Sequence, residues 1–102
     1  MSYKIQLLEQ AKSDLLEARD YYNTVLPKLG KRFANDFESV IIKVQGNRFS
    51  FSSRIEGFRT ANLKTFPFQV HYLIEDVKKE VIVFAILHAH RNPQYISSRL
   101  KK

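Results

Sequence analysis

Cysteine is absent from this chain, which excludes a disulfide framework and a thiolate metal site. Tryptophan is absent as well, and glycine and proline occur only three times each, so the sequence holds few chain breaks and no low-complexity linker or internal repeat. No stretch approaches the roughly 18 consecutive apolar residues of a membrane-spanning helix. The opening residues, MSYKIQLL, lack the charged-then-apolar pattern of a signal peptide. A cytoplasmic protein with no membrane partner is the expectation, and at 102 residues a single domain over 1–102 with one core.

Acidic residues are scarce in one half only. Residues 1–45 hold seven Lys/Arg against six Asp/Glu, whereas residues 46–102 hold ten against four. The net charge of +7 therefore comes almost entirely from the second half, as befits a face that meets nucleic acid or an acidic protein segment. The plain alternative is that the charge only keeps a small protein soluble.

What is present is a clear succession of periodicities. Tyr3, Ile5 and Leu7 alternate with polar residues as in a half-buried strand. Ala11, Leu15, Ala18, Tyr22 and Val25 form a helical stripe, with Lys12, Asp14, Glu17, Arg19 and Asp20 opposite. Pro27 and Gly30 are expected to end this helix. A second stripe, Phe33, Phe37, Val40, Ile41 and Val44, runs to Gly46, and so short a connector makes the two helices an antiparallel hairpin. The aromatic members of these stripes read as core filling. Residues 47–57 read as a loop or edge segment, and Arg59 to Leu63 as a short strand. Phe66, Phe68, Val70, Tyr72 and Ile74 then alternate with a more polar set that includes Gln69 and His71. Val81 to Leu87 is apolar throughout, the mark of a central strand covered on both faces. Asn92-Pro93 is a helix-start signal, a side-chain cap followed by a ring with helical φ. The expected fold is α+β: a small, twisted, mainly antiparallel sheet with an N-terminal helical hairpin on one face, in the order β-α-α-β-β-β plus a short C-terminal helix. In that last helix Ile96 and Leu100 dock on the core, leaving Tyr95 and Arg99 toward a partner.

Cationic, imidazole and phenol groups gather after the central strand. His88, His90, Arg91, Tyr95 and Arg99 are expected there, with Arg59 brought near by a neighbouring strand end and His71 on the outward face. Cleavage of RNA needs a base for the 2′-hydroxyl, an acid for the leaving oxygen and cations for the phosphorane charge. Histidine titrates near neutral pH, arginine clamps phosphate through paired hydrogen bonds, and tyrosine transfers a proton or stacks on a base. Arg91 and Arg99 have a simpler reading too, as bridges to Asp or Glu on the helices. The imidazoles of His71, His88 and His90 suggest a metal site, but Arg91 alongside repels a cation, so neither metal nor other cofactor is expected.

Taken together, Ala11-x-x-Asp14-Leu15, Tyr21-Tyr22, Leu29-Gly30-x-x-Phe33, Gly57-x-Arg59, Phe66-Pro67-Phe68-x-Val70-x-Tyr72 and His88-x-x-Arg91-Asn92-Pro93 with Arg99 behind it are specific. In this order and spacing they resemble the RelE/ParE superfamily, the toxins of type II toxin–antitoxin modules, also called plasmid-stabilisation proteins, and the strand patterns look nearer the ParE side. The resemblance implies a growth-inhibiting toxin, a cognate acidic antitoxin and a toxin–antitoxin hetero-oligomer. It implies one of two targets: DNA gyrase, poisoned by binding, or messenger RNA, cut in the ribosomal A site. A nuclease would use Arg59, His88, Arg91 and Tyr95 as catalytic groups; Arg48, Arg54, Lys64, His71, His90 and Arg99 would bind nucleic acid or another target. RelE-type nucleases also use lysines between the second helix and the middle of the sheet. Here that region offers Arg48, Arg54 and Lys64, and an arginine does not readily give up a proton. A third reading is an inactive member that only binds antitoxin.

Overall fold

The computed structural model describes residues 3–53 and 57–100. Its elements are β1 (Lys4–Leu7), α1 (Glu9–Val25), α2 (Leu29–Gly46), β2 (Ser52–Ser53), β3 (Arg59–Asn62), β4 (Phe68–Glu75), β5 (Glu80–His88) and α3 (Pro93–Leu100), with a 3-10 turn at Arg48–Ser50. The sheet order is β1-β5-β4-β3-β2; β1 runs parallel to β5 and every other pairing is antiparallel. This is the α+β architecture expected, with β5 second from the edge and covered on both faces.

Two cores lie on the two faces of the sheet. The larger joins the helical stripes to β4 and β5 through Phe33, Phe37, Val44, Val70, Tyr72, Val83 and Ile86. The smaller lies under α3 and consists of Phe58, Phe84, Ala85, Leu87 and Ile96, with Leu100 against it. Ile96 and Leu100 thus dock the last helix as their spacing predicts. Asn92 caps it, its Oδ1 accepting from the Gln94 N–H at 2.8 Å.

A bulge in β5 links the two cores. His71 pairs with Ala85 but Tyr72 with Val83, so Phe84 is an extra residue on β5. Val81 and Val83 face the hairpin, Phe84 and Ala85 both turn to the α3 side, and Ile86 returns to the hairpin side.

Gly30 does not end α1. That helix stops at Val25, and Gly30 lies in the first turn of α2, where its N–H donates to Asn23 Oδ1 at 2.9 Å. A Cβ there would stand 2.5 Å from the Arg19 carbonyl oxygen, so glycine is needed for the close approach of the two helices.

Tyr72 is fully buried, and its hydroxyl donates to the Arg48 carbonyl at 2.6 Å, tying the 3-10 turn to the sheet. Burial pushes this hydroxyl up to about 12, against the opposing pull of Arg59. Because the folded-state value is raised, the stability it brings is complete below the ordinary value of 10.0 and is lost as pH rises through about 12. Urea denaturation across that window should show wild type losing stability more steeply than Tyr72→Phe. Parallel alkaline losses in the two proteins would remove Tyr72 as the cause.

Candidate functional site

The C-terminal end of β5 and the middle of α1 enclose a cleft of about 560 Å³. Its chemically active lining is Glu17 and Tyr21 from α1, His88 from the last position of β5, and His90 and Arg91 from the turn that follows. Phe68, paired with His88, forms part of the wall, its ring 5.5 Å from the imidazole. The parity change at Phe84 sends His88 to this side of the sheet. The His88 and His90 rings lie 5.3 Å apart, and the His90 N–H donates to His88 Nδ1 at 3.1 Å. An imidazole that accepts at Nδ1 carries its proton on Nε2, so His88 offers the cleft a donor.

Arg91 is exposed and lies over the Tyr95 ring at 4.2 Å. Tyr95, in the first turn of α3, also meets Arg99: its hydroxyl accepts from Arg99 Nη2 at 3.0 Å. Two guanidiniums thus contact the ring, Arg91 at 4.2 Å and Arg99 at 5.1 Å, and a base that stacks on it competes with them.

Arg99 does not face a partner. Its guanidinium forms paired bonds with Asp14, Nη2–Oδ1 at 2.9 Å and Nη1–Oδ2 at 3.0 Å, and only 9% and 10% of the two side chains are exposed. Arg99 Nη1 also donates to the Phe84 carbonyl at 3.1 Å, while Asp14 Oδ2 accepts from the Ile86 N–H at 3.0 Å. Both are backbone groups of β5 beyond the end of its pairing with β1, so the ion pair takes the place of the missing strand. The Asp14 hydrogen bonds raise the Arg99 pKa further above its ordinary value. The simpler reading of Arg99, a bridge to a helix carboxylate, is the one found.

His71 is likewise not presented outward. It is fully buried, with Nδ1 2.9 Å from Thr60 Oγ1 and its ring edge-on to Phe58 at 5.6 Å. The sheet face expected to be polar at this position is covered by Phe58 and Phe84 of the smaller core. His71 and His88 project from opposite faces, so the three imidazoles do not converge on one point.

Arg59 stands opposite Tyr72, and His88 opposite Phe68, four β4 residues apart or about 13 Å at roughly 3.3 Å per residue. Its Nη1 donates to the carbonyls of Phe51 at 2.8 Å and Phe49 at 3.2 Å, fixing the segment before β2. Arg59 and Arg91 are therefore not brought together, contrary to expectation. Arg48 stacks on the Tyr3 ring at 3.4 Å in the same distant region. Lys64 lies in the β3–β4 connection and does not line this cleft, and Arg54 falls outside the described residues.

Of the expected site, the structure gathers His88, His90, Arg91 and Tyr95. Glu17 and Tyr21 were missed as cleft residues. Tyr21 carries a signal: it is an aromatic that stands off the apolar stripe of its helix, and it is 61% exposed.

The family model for the ParE toxin of type II toxin–antitoxin systems, parDE, matches residues 5–93. Among solved structures, the chromosomal ParDE system of P. aeruginosa contains a chain that is 20% identical with a TM-score of 0.73, over 84% of this chain and 95% of that one. The RelBE2 complex of Mycobacterium tuberculosis gives 18% identity and 0.61, over 86% and 99%. The isolated E. coli RelE toxin gives 16% and 0.63, over 94% of each. No curated protein matches the sequence. The structural likenesses establish the fold, and the family model, spanning most of the chain, establishes the lineage: this protein belongs to the ParE toxin family of type II toxin–antitoxin systems.

Proposed function

We propose that this toxin arrests growth by binding and poisoning DNA gyrase, without chemistry of its own. The observation that carries the reading is the dispersal of the groups a nuclease would need. Arg59 is engaged with the Phe49 and Phe51 carbonyls, Arg99 is locked to Asp14, and among the described residues only Arg91 remains as a cation beside the histidines of the cleft. One cation without a lysine beside it is a poor match to the charge of a phosphorane. The match to the ParE family model points the same way.

A second reading, a ribosome-dependent mRNA endonuclease, draws support from the cleft itself, where Glu17, His88 and His90 supply proton-transfer groups next to Arg91. In the third, the chain is inactive and keeps only its antitoxin. In all three the partner is a cognate acidic antitoxin, as the ParDE and RelBE systems among the solved relatives suggest. A disordered acidic segment folding onto the basic second half would form the toxin–antitoxin hetero-oligomer.

Purified toxin should block supercoiling by gyrase or leave broken plasmid, with transcripts intact in expressing cells. Normal supercoiling at saturating toxin would reject the proposal. Transcripts cut inside coding regions, and spared in Arg91→Ala, would establish the nuclease; no growth defect on overexpression would favour the inactive member.

A further inference from the structure

A second cleft, of about 320 Å³, lies between the outer face of α2 and the β3–β4 connection, and shares no lining residue with the first. Arg32, Asn35, Ser39 and Lys43 follow one another at three- and four-residue intervals and so form a straight row on α2, about 16 Å long at roughly 1.5 Å per residue. Lys64 and Thr65 face that row from the connection. All six are exposed, and Arg32, Lys43 and Lys64 form no ion pair among the described residues. The cleft has one carboxylate, Asp36, whose oxygens accept the backbone N–H groups of Lys64, Thr65 and Phe66 at 3.2, 2.8 and 3.1 Å. That carboxylate shapes the connection and presents Lys64 and Thr65 to the row.

We infer that this row is a contact surface for the phosphodiester backbone of nucleic acid. Arginine, lysine, serine, threonine and asparagine are the side chains that bond phosphate oxygens, and the row contains nothing else. Three cations against one carboxylate give the cleft a local excess of positive charge, in a chain of net charge +7. An acidic peptide would share the charge complementarity, but peptide recognition also needs apolar anchors. The cleft's one apolar residue, Val40, is 5% exposed and belongs to the core, which favours phosphate. Contacts to phosphate carry no sequence information, so binding through this row is independent of base sequence. It does not depend on whether gyrase or messenger RNA is the target.

The test is fluorescence anisotropy of a short labelled DNA duplex against the full chain across about 50–200 mM salt. Wild type should bind in the range of non-specific contacts, Kd about 10⁻⁴–10⁻⁶ M. The triple variant Arg32→Ala, Lys43→Ala, Lys64→Ala should lose at least about tenfold at low salt, and its slope of log affinity on log salt should become shallower by about 2–3. A control with the same loss of charge elsewhere, Lys4→Ala, Lys12→Ala, Lys78→Ala, should change the slope by less than about 1. Matching melting curves will show that each variant is folded. Equal losses in the two triple variants, or no binding by wild type at low salt, would overturn the proposal. So would a poly-glutamate peptide that binds more tightly than the duplex and is lost in the first variant. The supercoiling assay is a separate readout, so either result can fail without the other.

Discussion

Arg99→Ala is expected to destabilise the folded chain by about 3–5 kcal/mol and to lower its melting temperature by more than about 10 °C. The substitution leaves the Asp14 carboxylate buried without its counter-charge and the Phe84 carbonyl without its donor. Removing one partner of a desolvated pair costs far more than the pair itself contributes, because the remaining charge has no water to return to. The damage should fall first on α3, which is otherwise held by Ile96 and Leu100; faster amide exchange there would report it. The double variant Asp14→Leu, Arg99→Met should recover part of the loss, since it buries no charge, but not all, since the Ile86 N–H and Phe84 C=O stay unpaired. If Arg99→Ala melted within about 2 °C of wild type, the pair would not be structural and Arg99 would again be a candidate for target contact. Until stability is measured, lost toxicity in this variant says nothing about the target.

Phe33→Ala should cost a similar amount, about 3–5 kcal/mol, through a different route. Phe33 is fully buried, with the rings of Phe68, Phe66 and Tyr22 at 5.1, 5.3 and 5.5 Å. These residues come from α1, α2, β4 and the segment before β4, so the cavity would open where the hairpin meets the sheet. Neither helix buries its stripe without that contact. Phe33→Leu, which keeps most of the volume, should cost much less, about 1.5 kcal/mol. Chemical denaturation distinguishes the cases: the midpoint should shift while the slope stays constant. Equal costs for the two variants would mean that ring geometry, rather than volume, governs the site.

Much of this was open to reading in the sequence, because the signals were local. The alternation from Phe68 to Ile74, the unbroken apolar run of β5 and the two helical stripes each state their periodicity within a dozen residues. Asn92-Pro93 marked the start of α3 just as directly. The failures share a cause in long-range contact. Asp14 reads as part of the polar face of α1, and nothing near it in sequence announces a partner 85 residues away. His71 alternates outward from the larger core correctly; what the pattern does not state is that Phe58 and Phe84 close over it from the other side. Gly30 looked like a terminator since glycine ends helices often, whereas here it serves the packing of one helix on another. Arg59 and Arg91 lie apart because the sequence marks where a strand ends but not its register against its neighbour.

The extra residue at Phe84 has a consequence for how this fold diversifies. In an all-apolar strand, neither hydrophobicity nor length of the run reveals a shift in parity, and both faces of β5 tolerate the change because both are covered. Deleting one residue there would leave the topology intact while sending the side chain at the His88 position beneath α3 rather than α1. A single-codon insertion or deletion thus exchanges the chemistry shown at the two mouths of the sheet. Two chains could then share every element and most of their core, yet offer different groups to different targets.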